Sequence, residues 1–218
     1  PTDMYAPQDL ERQYDKEVFS VAVKDQLAFK NHQITIGINA EQQQNDINGW
    51  SFLIPAFKQL NAGLFAYDKI QLNDLWLLHG AVRFDHGRID MKQYTDWFQS
   101  EISLNGETRS EYLKRSDDLT RTFDSFNWSA GVNYTPGQLS LKANLGTSFR
   151  MPIAKELASN GVNYHYFRFE KGDPNLSAER SYQLDLGMEW QENKWSVQLS
   201  PFLNYFPNYI YLNPTSQH

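Results

Sequence analysis

The residues best suited to hold a ligand lie together. Tyr164-His165-Tyr166-Phe167-Arg168-Phe169 sets aromatic rings, an imidazole and a guanidinium in one short run. Aromatic faces stack on flat groups, and Arg offers a charged fork to anions. The chemistry these residues point to is recognition, with Tyr164, His165, Tyr166 and Arg168 as candidate substrate contacts. Packing at a rim, or contact with lipopolysaccharide, would use the same residue types. His86 stands near Asp85 and Asp90, a donor set that suits a transition metal, but a solvated loop histidine is the simpler reading. Asn45-Asp46-Ile47-Asn48-Gly49 starts like a calcium loop and lacks the bidentate Glu at the right distance. No metal site is therefore assigned. Gly-x-Ser-x-Gly, His-Glu-x-x-His and Walker motifs are missing, and the chain has no cysteine, which removes thiol nucleophiles and disulfides. We assign no catalytic residue and no cofactor, and expect a protein that is not an enzyme.

The elements that position these residues follow from composition and pattern. Apolar residues make up 40% of the 218, and they lean toward Tyr (12), Phe (14) and Trp (6). Mean hydropathy is −0.63. Strands with one greasy and one wet face suit this mixture better than a helical core. The net charge of −6 and the scatter of Lys and Arg argue against nucleic acid. Pro1 to Glu17 has no apolar centre of a secretory leader, and no apolar run is long enough for a membrane helix. Any membrane crossing would be made by strands.

Alternation is the dominant signal. Leu139, Leu141, Ala143, Leu145, Thr147 and Phe149 oppose Ser140, Lys142, Asn144, Gly146, Ser148 and Arg150. The same rule holds around Ile34–Ile38, Trp76–Phe84, Trp128–Tyr134, Tyr182–Trp190 and Trp195–Tyr205. It predicts strands near 18–29, 32–43, 59–72, 75–89, 126–135, 138–150, 180–191 and 194–212. Phe65 and Tyr67 break the phase of the third, and Lys24-Asp25-Gln26 that of the first. Tight turns fall at 30–32, 73–74, 136–137 and 191–194, and alternate with long excursions at 43–58, 90–125 and 151–179. Short turns on one rim and long extracellular loops on the other characterise outer-membrane barrels. Trp76, Tyr134, Trp190 and Trp195 crowd the short turns, while Phe84, Phe149, Tyr182 and Tyr205 stand at the far ends. Eight strand steps at a tilt of ~40° rise roughly 20–25 Å, close to the apolar band of such barrels. Interfacial aromatics would form its girdles. The expected fold is all-β, an antiparallel up-and-down transmembrane β-barrel segment of about eight strands.

Two further stretches carry a family resemblance. Gly146-Thr147-Ser148-Phe149-Arg150-Met151-Pro152-Ile153-Ala154-Lys155-Glu156-Leu157 resembles the Phe-Arg-x-Pro…Glu-Leu segment late in TonB-dependent receptor barrels. Gly172-Asp173-Pro174-Asn175-Leu176-Ser177-Ala178-Glu179 resembles the Gly-Asn/Asp-Pro-x-Leu-x-x-Glu segment that leads into the next strand. The resemblance is carried best by 138–212. It implies a barrel of ~22 strands, of which residues 1–218 would supply about a third, without the plug and the closing strands. It also implies an outer-membrane importer of an iron–siderophore or related metal complex, gated by that plug and driven by the TonB complex.

The motif residues have physical readings of their own. Pro152 ends a strand. Arg150 and Glu156 can pair to anchor a loop, Gly172, Asp173 and Pro174 shape a turn, and Glu179 starts the descending strand. These roles are structural rather than substrate contact. Two rival classes remain at this level: an autonomous eight-stranded outer-membrane barrel, and a soluble β-sandwich that binds glycans.

Overall fold

The computed structural model of the chain describes residues 10–104 and 106–215. In chain order the elements begin with β1 (Gln13–Phe29), β2 (His32–Asn48), β3 (Phe57–Gln71) and β4 (Trp76–Met91). A hairpin follows, β5 (Tyr94–Leu104) and β6 (Glu107–Ser116), then β7 (Leu119–Tyr134) and β8 (Leu139–Arg150). A short helix, α1 (Ala154–Ala158), precedes a small hairpin, β9 (Asn160–Asn163) and β10 (Arg168–Lys171). The chain then re-enters the main sheet as β11 (Glu179–Gln191), β12 (Ser196–Leu199) and β13 (Phe202–Asn208). No helix among the described residues is long and apolar enough to cross a membrane.

The main sheet is antiparallel and up-and-down, in the order β1-β2-β3-β4-β7-β8-β11, with β12 and β13 both paired to β11. These last two are one strand interrupted at Ser200-Pro201, where proline has no N–H for the ladder. Eight crossings result, as the alternation predicts. Among the described residues β1 does not pair with β12 or β13, so the sheet is open rather than a closed eight-stranded barrel.

The segments between crossings differ from expectation. Region 43–58 is half strand, because β2 runs to Asn48 and β3 starts at Phe57, and 90–125 is mostly strand, because β4 runs to Met91, β5 and β6 form a hairpin and β7 starts at Leu119. Their Gln, Asn, Asp and Arg residues interrupt the alternation and hide the strand character. Region 151–179 holds α1 and the β9–β10 hairpin.

The two faces of the sheet are inverted relative to a soluble protein. Strand register places Val23, Ile38, Leu64, Phe84 and Phe126 side by side on five neighbouring strands. Each is 45–58% exposed, whereas Ser125 and Asn127 on the opposite face are 2% and 9% exposed. A soluble sandwich requires the opposite arrangement. At the short-turn end Trp76 stacks on Tyr134 with ring centroids 4.4 Å apart, and Tyr182 meets Tyr205 at 6.4 Å near the other end of the apolar face.

Phe65 and Tyr67 break the pattern for a packing reason. The phase of β3 is kept by Leu60, Ala62, Leu64 and Ala66, and the two rings lie on the polar face. There Phe65 covers Gly37 of the neighbouring strand, and His79, 6.3 Å from the Tyr67 ring, covers Gly131. Glycine leaves room for an aromatic from the adjacent strand. A Cβ on Gly37 would overlap the Phe65 ring. Gly37→Val is therefore expected to destabilise the sheet by about 1–3 kcal/mol, read by urea unfolding in lipid vesicles. Unchanged stability would mean that this contact does not define the strand pair.

Candidate functional site

At the long-loop end the polar face turns apolar and carries the only hydrophobic core among the described residues. Ile89, Met91 and Phe123 from β4 and β7 meet Ala154 and Leu157 of α1. The helix docks there because β7 and β8 stop pairing at Ser129–Gly146, short of the end of either strand. The region between them is bridged from the loop: the Arg121 guanidinium donates to the carbonyls of Pro174 and Leu176, the latter at 2.8 Å. Phe149 half-buries against this core, so it departs from the girdle position that strict alternation assigns it.

The motif residues form the framework of this loop. Arg150 donates to both Glu156 oxygens at 3.1 and 2.9 Å and lies 3.4 Å from Glu179. Glu156 also accepts the Ile153 N–H at 3.0 Å, which caps α1. Pro152 is fully buried beside it. A Cβ on Gly172 would lie 2.6 Å from the Ala158 nitrogen, so close backbone approach requires glycine there. The Gly172 N–H donates to Ser159 and that of Asp173 to Glu156, at 2.7 and 2.8 Å. The Asp173 carboxylate accepts the Asn175 N–H at 2.8 Å and fixes the turn containing Pro174. Glu179 accepts the Ile210 N–H at 2.9 Å.

The aromatic run forms the tip of the β9–β10 hairpin. Tyr164, His165 and Tyr166 are exposed in the turn, and Phe167 is 90% exposed with φ 48°. Arg168 sits 4.9 Å over the Tyr166 ring and donates to Glu170 at 2.8 Å. Its charge is already engaged, which sequence alone does not show. Glu170 is 2% exposed and is also held by Lys155 at 2.8 Å and Asn163 at 2.9 Å. Two cations thus share one carboxylate. Burial pushes the Glu170 carboxyl up, but hydrogen bonds from Lys155, Arg168 and Asn163 outweigh it and hold the group below its ordinary value. A depressed folded value stabilises the hairpin above the unfolded pKa of ~4.3, and this is lost as pH falls through the folded value. Protection of the hairpin amides should be flat from neutrality to about pH 5 and fall below about pH 4. Glu170→Gln should abolish that dependence, and a persistent acid transition in the variant would assign it to another group.

His86 pairs with Asp124 at 2.6 Å rather than with Asp85, which holds Arg83, or Asp90, which holds Arg88. No group of three or more His, Asp or Glu that could hold a metal converges among the described residues.

Residues that sequence reasoning missed knit the loops together. The Trp97 indole N–H donates to the Trp50 carbonyl at 2.9 Å, and Phe52 stacks on Tyr94 at 4.5 Å. The Asn160 N–H donates to Leu53, and its side chain donates to the Arg115 carbonyl, each at 2.9 Å. Arg115 in turn grips the buried Asp96 at 2.7 Å. Beside the hairpin, Lys155, Arg168, Lys171, Tyr209 and Tyr211 help line a cleft of about 580 Å³. These partners are far apart in sequence, and no local pattern announces them.

An open antiparallel sheet with a bare apolar face, a hydrogen-bonded polar face and structured loops at one end defines the wall of a transmembrane β-barrel. The family model described as "TonB dependent receptor-like, beta-barrel" matches residues 5–218, and the chain belongs to that family. Its members are transporters, not enzymes. Among solved structures the copper transporter OprC has a TM-score of 0.69 at 16% identity, covering 88% of this chain and 30% of that one. The hemophore receptor HasR of Serratia marcescens, in complex with its hemophore HasA and heme, gives 0.65 at 19%, covering 91% and 33%. The ferric-catecholate import receptor Fiu of E. coli, in its closed form, gives 0.63 at 14%, covering 94% and 33%. Lactoferrin-binding protein A of Neisseria meningitidis is 23% identical over 113 residues, which are 50% of this chain and 12% of that protein. The chain thus spans about a third of the solved structures and less of the curated relative.

Proposed function

We propose that this chain is part of the barrel of an outer-membrane importer for a metal chelate, an iron–siderophore or related complex. The bare apolar face, side by side across five strands, supports its placement in the outer membrane. In this orientation the short turns face the periplasm and the loop end faces outward, where lipopolysaccharide would surround it. Residues 1–218 belong to one barrel domain, of which 43–58, 90–125 and 151–179 carry the outer rim and its loops. Energy would come from the TonB complex through a plug domain, as in the family. A copper transporter, a hemophore receptor in complex with heme and a ferric-catecholate import receptor share the fold, which favours a metal complex as cargo.

Within this reading Tyr164, His165, Tyr166 and Arg168 contact the cargo, held out on a hairpin whose base is locked by Glu170. Arg150, Pro152, Glu156, Gly172, Asp173, Pro174 and Glu179 keep that base in place. The test is uptake of radiolabelled iron chelates by iron-starved cells with and without the full-length gene. Uptake of at least one chelate should depend on the gene, and indifference of every chelate would remove the iron reading. Joint replacement of Tyr164, His165 and Tyr166 by Ala, which leaves the Arg168–Glu170 pair at the hairpin base in place, should weaken chelate binding about tenfold or more, with the barrel intact by heat-modifiability. Unchanged affinity would move the contacts elsewhere on the rim.

A further inference from the structure

β7 and β8 are neighbours in the middle of the wall, yet they stop pairing while both still run as strands. Their ladder ends at Ser129–Gly146, although β7 reaches Leu119 at the loop end and β8 reaches Arg150. On their other sides both stay paired over this stretch, β7 with β4 and β8 with β11. The gap is a split inside the sheet.

Carried on in register, the ladder would set Trp128 opposite Thr147, Asn127 opposite Ser148 and Phe126 opposite Phe149. The Trp128 N–H does point toward β8, but it meets the Thr147 hydroxyl at 3.2 Å in place of a ladder carbonyl. That hydroxyl donates in turn to the Asn127 amide oxygen at 3.2 Å. By the two-residue period of a strand the Phe126 N–H points the same way, and the ladder gives it no partner. Phe126 is the last apolar rung on its face, since the next row outward carries the His86–Asp124 pair. Unpaired backbone at that height is costly against lipid.

Phe149 accounts for the split. Its phase assigns it to the apolar face, where the continued register would add it to the row of Ile38, Leu64, Phe84 and Phe126. It packs instead against the cluster of Ile89, Met91, Phe123 and Leu157. Ile89 and Met91 are in phase with Asp85, and Phe123 with Ser125, so α1 sits on the polar side of the sheet. The pull on Phe149 draws the end of β8 off β7. One ring cannot serve both faces, so docking of α1 and closure of the ladder exclude each other.

We propose that residues 151–178 form a lid over the mouth of the pore and that Phe149 is its switch. With the lid docked, Phe149 lies in the α1 cluster and the wall is split. With the lid released, Phe149 turns to the lipid face, pairs with Phe126 and zips β8 onto β7, while the β9–β10 hairpin moves outward with α1. The inference rests on the membrane placement proposed above, in which the polar face lines the pore.

The test places para-fluorophenylalanine at Phe126 or at Phe149 of the full-length receptor, in phosphatidylcholine nanodiscs doped with acyl-chain spin-labelled lipid. The spin label should erase the fluorine signal at Phe126, which is 56% exposed on the apolar face, and spare that at Phe149. In Leu157→Ala, which undocks α1, the Phe149 signal should be lost as well. The Phe126 amide should then exchange about tenfold more slowly or less, while residues 154–158 exchange faster. Thr147→Val should erase part of the Phe149 signal, because it removes the hydroxyl that holds the Trp128 N–H in the split arrangement. It leaves the α1 cluster untouched, so it decides the matter if Leu157→Ala does not fold. A Phe149 signal that persists once α1 is undocked, or one already lost in the wild type, would overturn the switch. Persistence of the Phe126 signal would overturn the membrane placement instead, which separates the two claims.

Discussion

Leu64→Arg should lower the folding stability of the receptor in a bilayer by about 2–4 kcal/mol, and Gln43→Arg should leave it nearly unchanged. Leu64 lies near mid-height of β3, 57% exposed on the apolar face between Ile38 and Phe84. If lipid covers that face, a guanidinium there must leave water without a partner. Gln43 lies on the polar face of β2, opposite Val18 and Gln59, where a charge stays hydrated. In a soluble fold the ordering would depend on which face is buried, and the bare residue would be the tolerant one. Urea titrations of tryptophan fluorescence in vesicles provide the measurement. Equal effects at the two positions would end the inverted-face argument.

Leu157→Ala should release the whole segment from α1 to β11. Leu157 is 1% exposed and packs with Ile89, Met91 and Phe123 in the one compact apolar cluster described. Truncation of a leucine so placed costs about 2–5 kcal/mol. Since this cluster joins the loop to β4 and β7, beside the polar ties from Arg121, Arg150 and Asn160, the loss falls on loop docking rather than on the sheet. Amide exchange in residues 154–176 should accelerate by at least about thirtyfold, while β2, β3 and β4 exchange as before. Acceleration throughout the sheet would show instead that the cluster supports the wall. Gly172→Ala should act in the same direction, because its methyl would press on the Ala158 nitrogen and the Glu156 carbonyl.

The wall of this molecule was legible in its sequence because alternation is a local rule. Leu139–Arg150 and Tyr182–Trp190 each declare their two faces without reference to a neighbour. Legibility failed where the local rule lapses. Gln44 to Asn48 and Leu119 to Ser125 are strands with polar residues on both sides, so nothing in their periodicity separates them from loop. Phe65 and Tyr67 break the phase for a different reason, since Phe65 is placed by Gly37 on β2 and Tyr67 lies beside His79 of β4 on the polar face. The rim was half legible. Arg150 and Glu156 sit close enough in sequence for their pairing to be foreseen. The attachment of Arg168 to Glu170 beside Lys155 and Asn163, and the Trp97–Trp50 and Asn160–Leu53 contacts, depend on how distant segments meet.

Those last contacts bear on how such a surface can change over generations. Segments 50–53, 94–97 and 160–163 hold one another by backbone carbonyls and stacked rings. An altered length in one would therefore disturb the presentation of the other two. Variation tolerated at this end should be concentrated at the free tips, around Gly106 and Tyr164–Phe167, and antibodies raised against the native rim should recognise composite epitopes that synthetic peptides of any single loop do not reproduce.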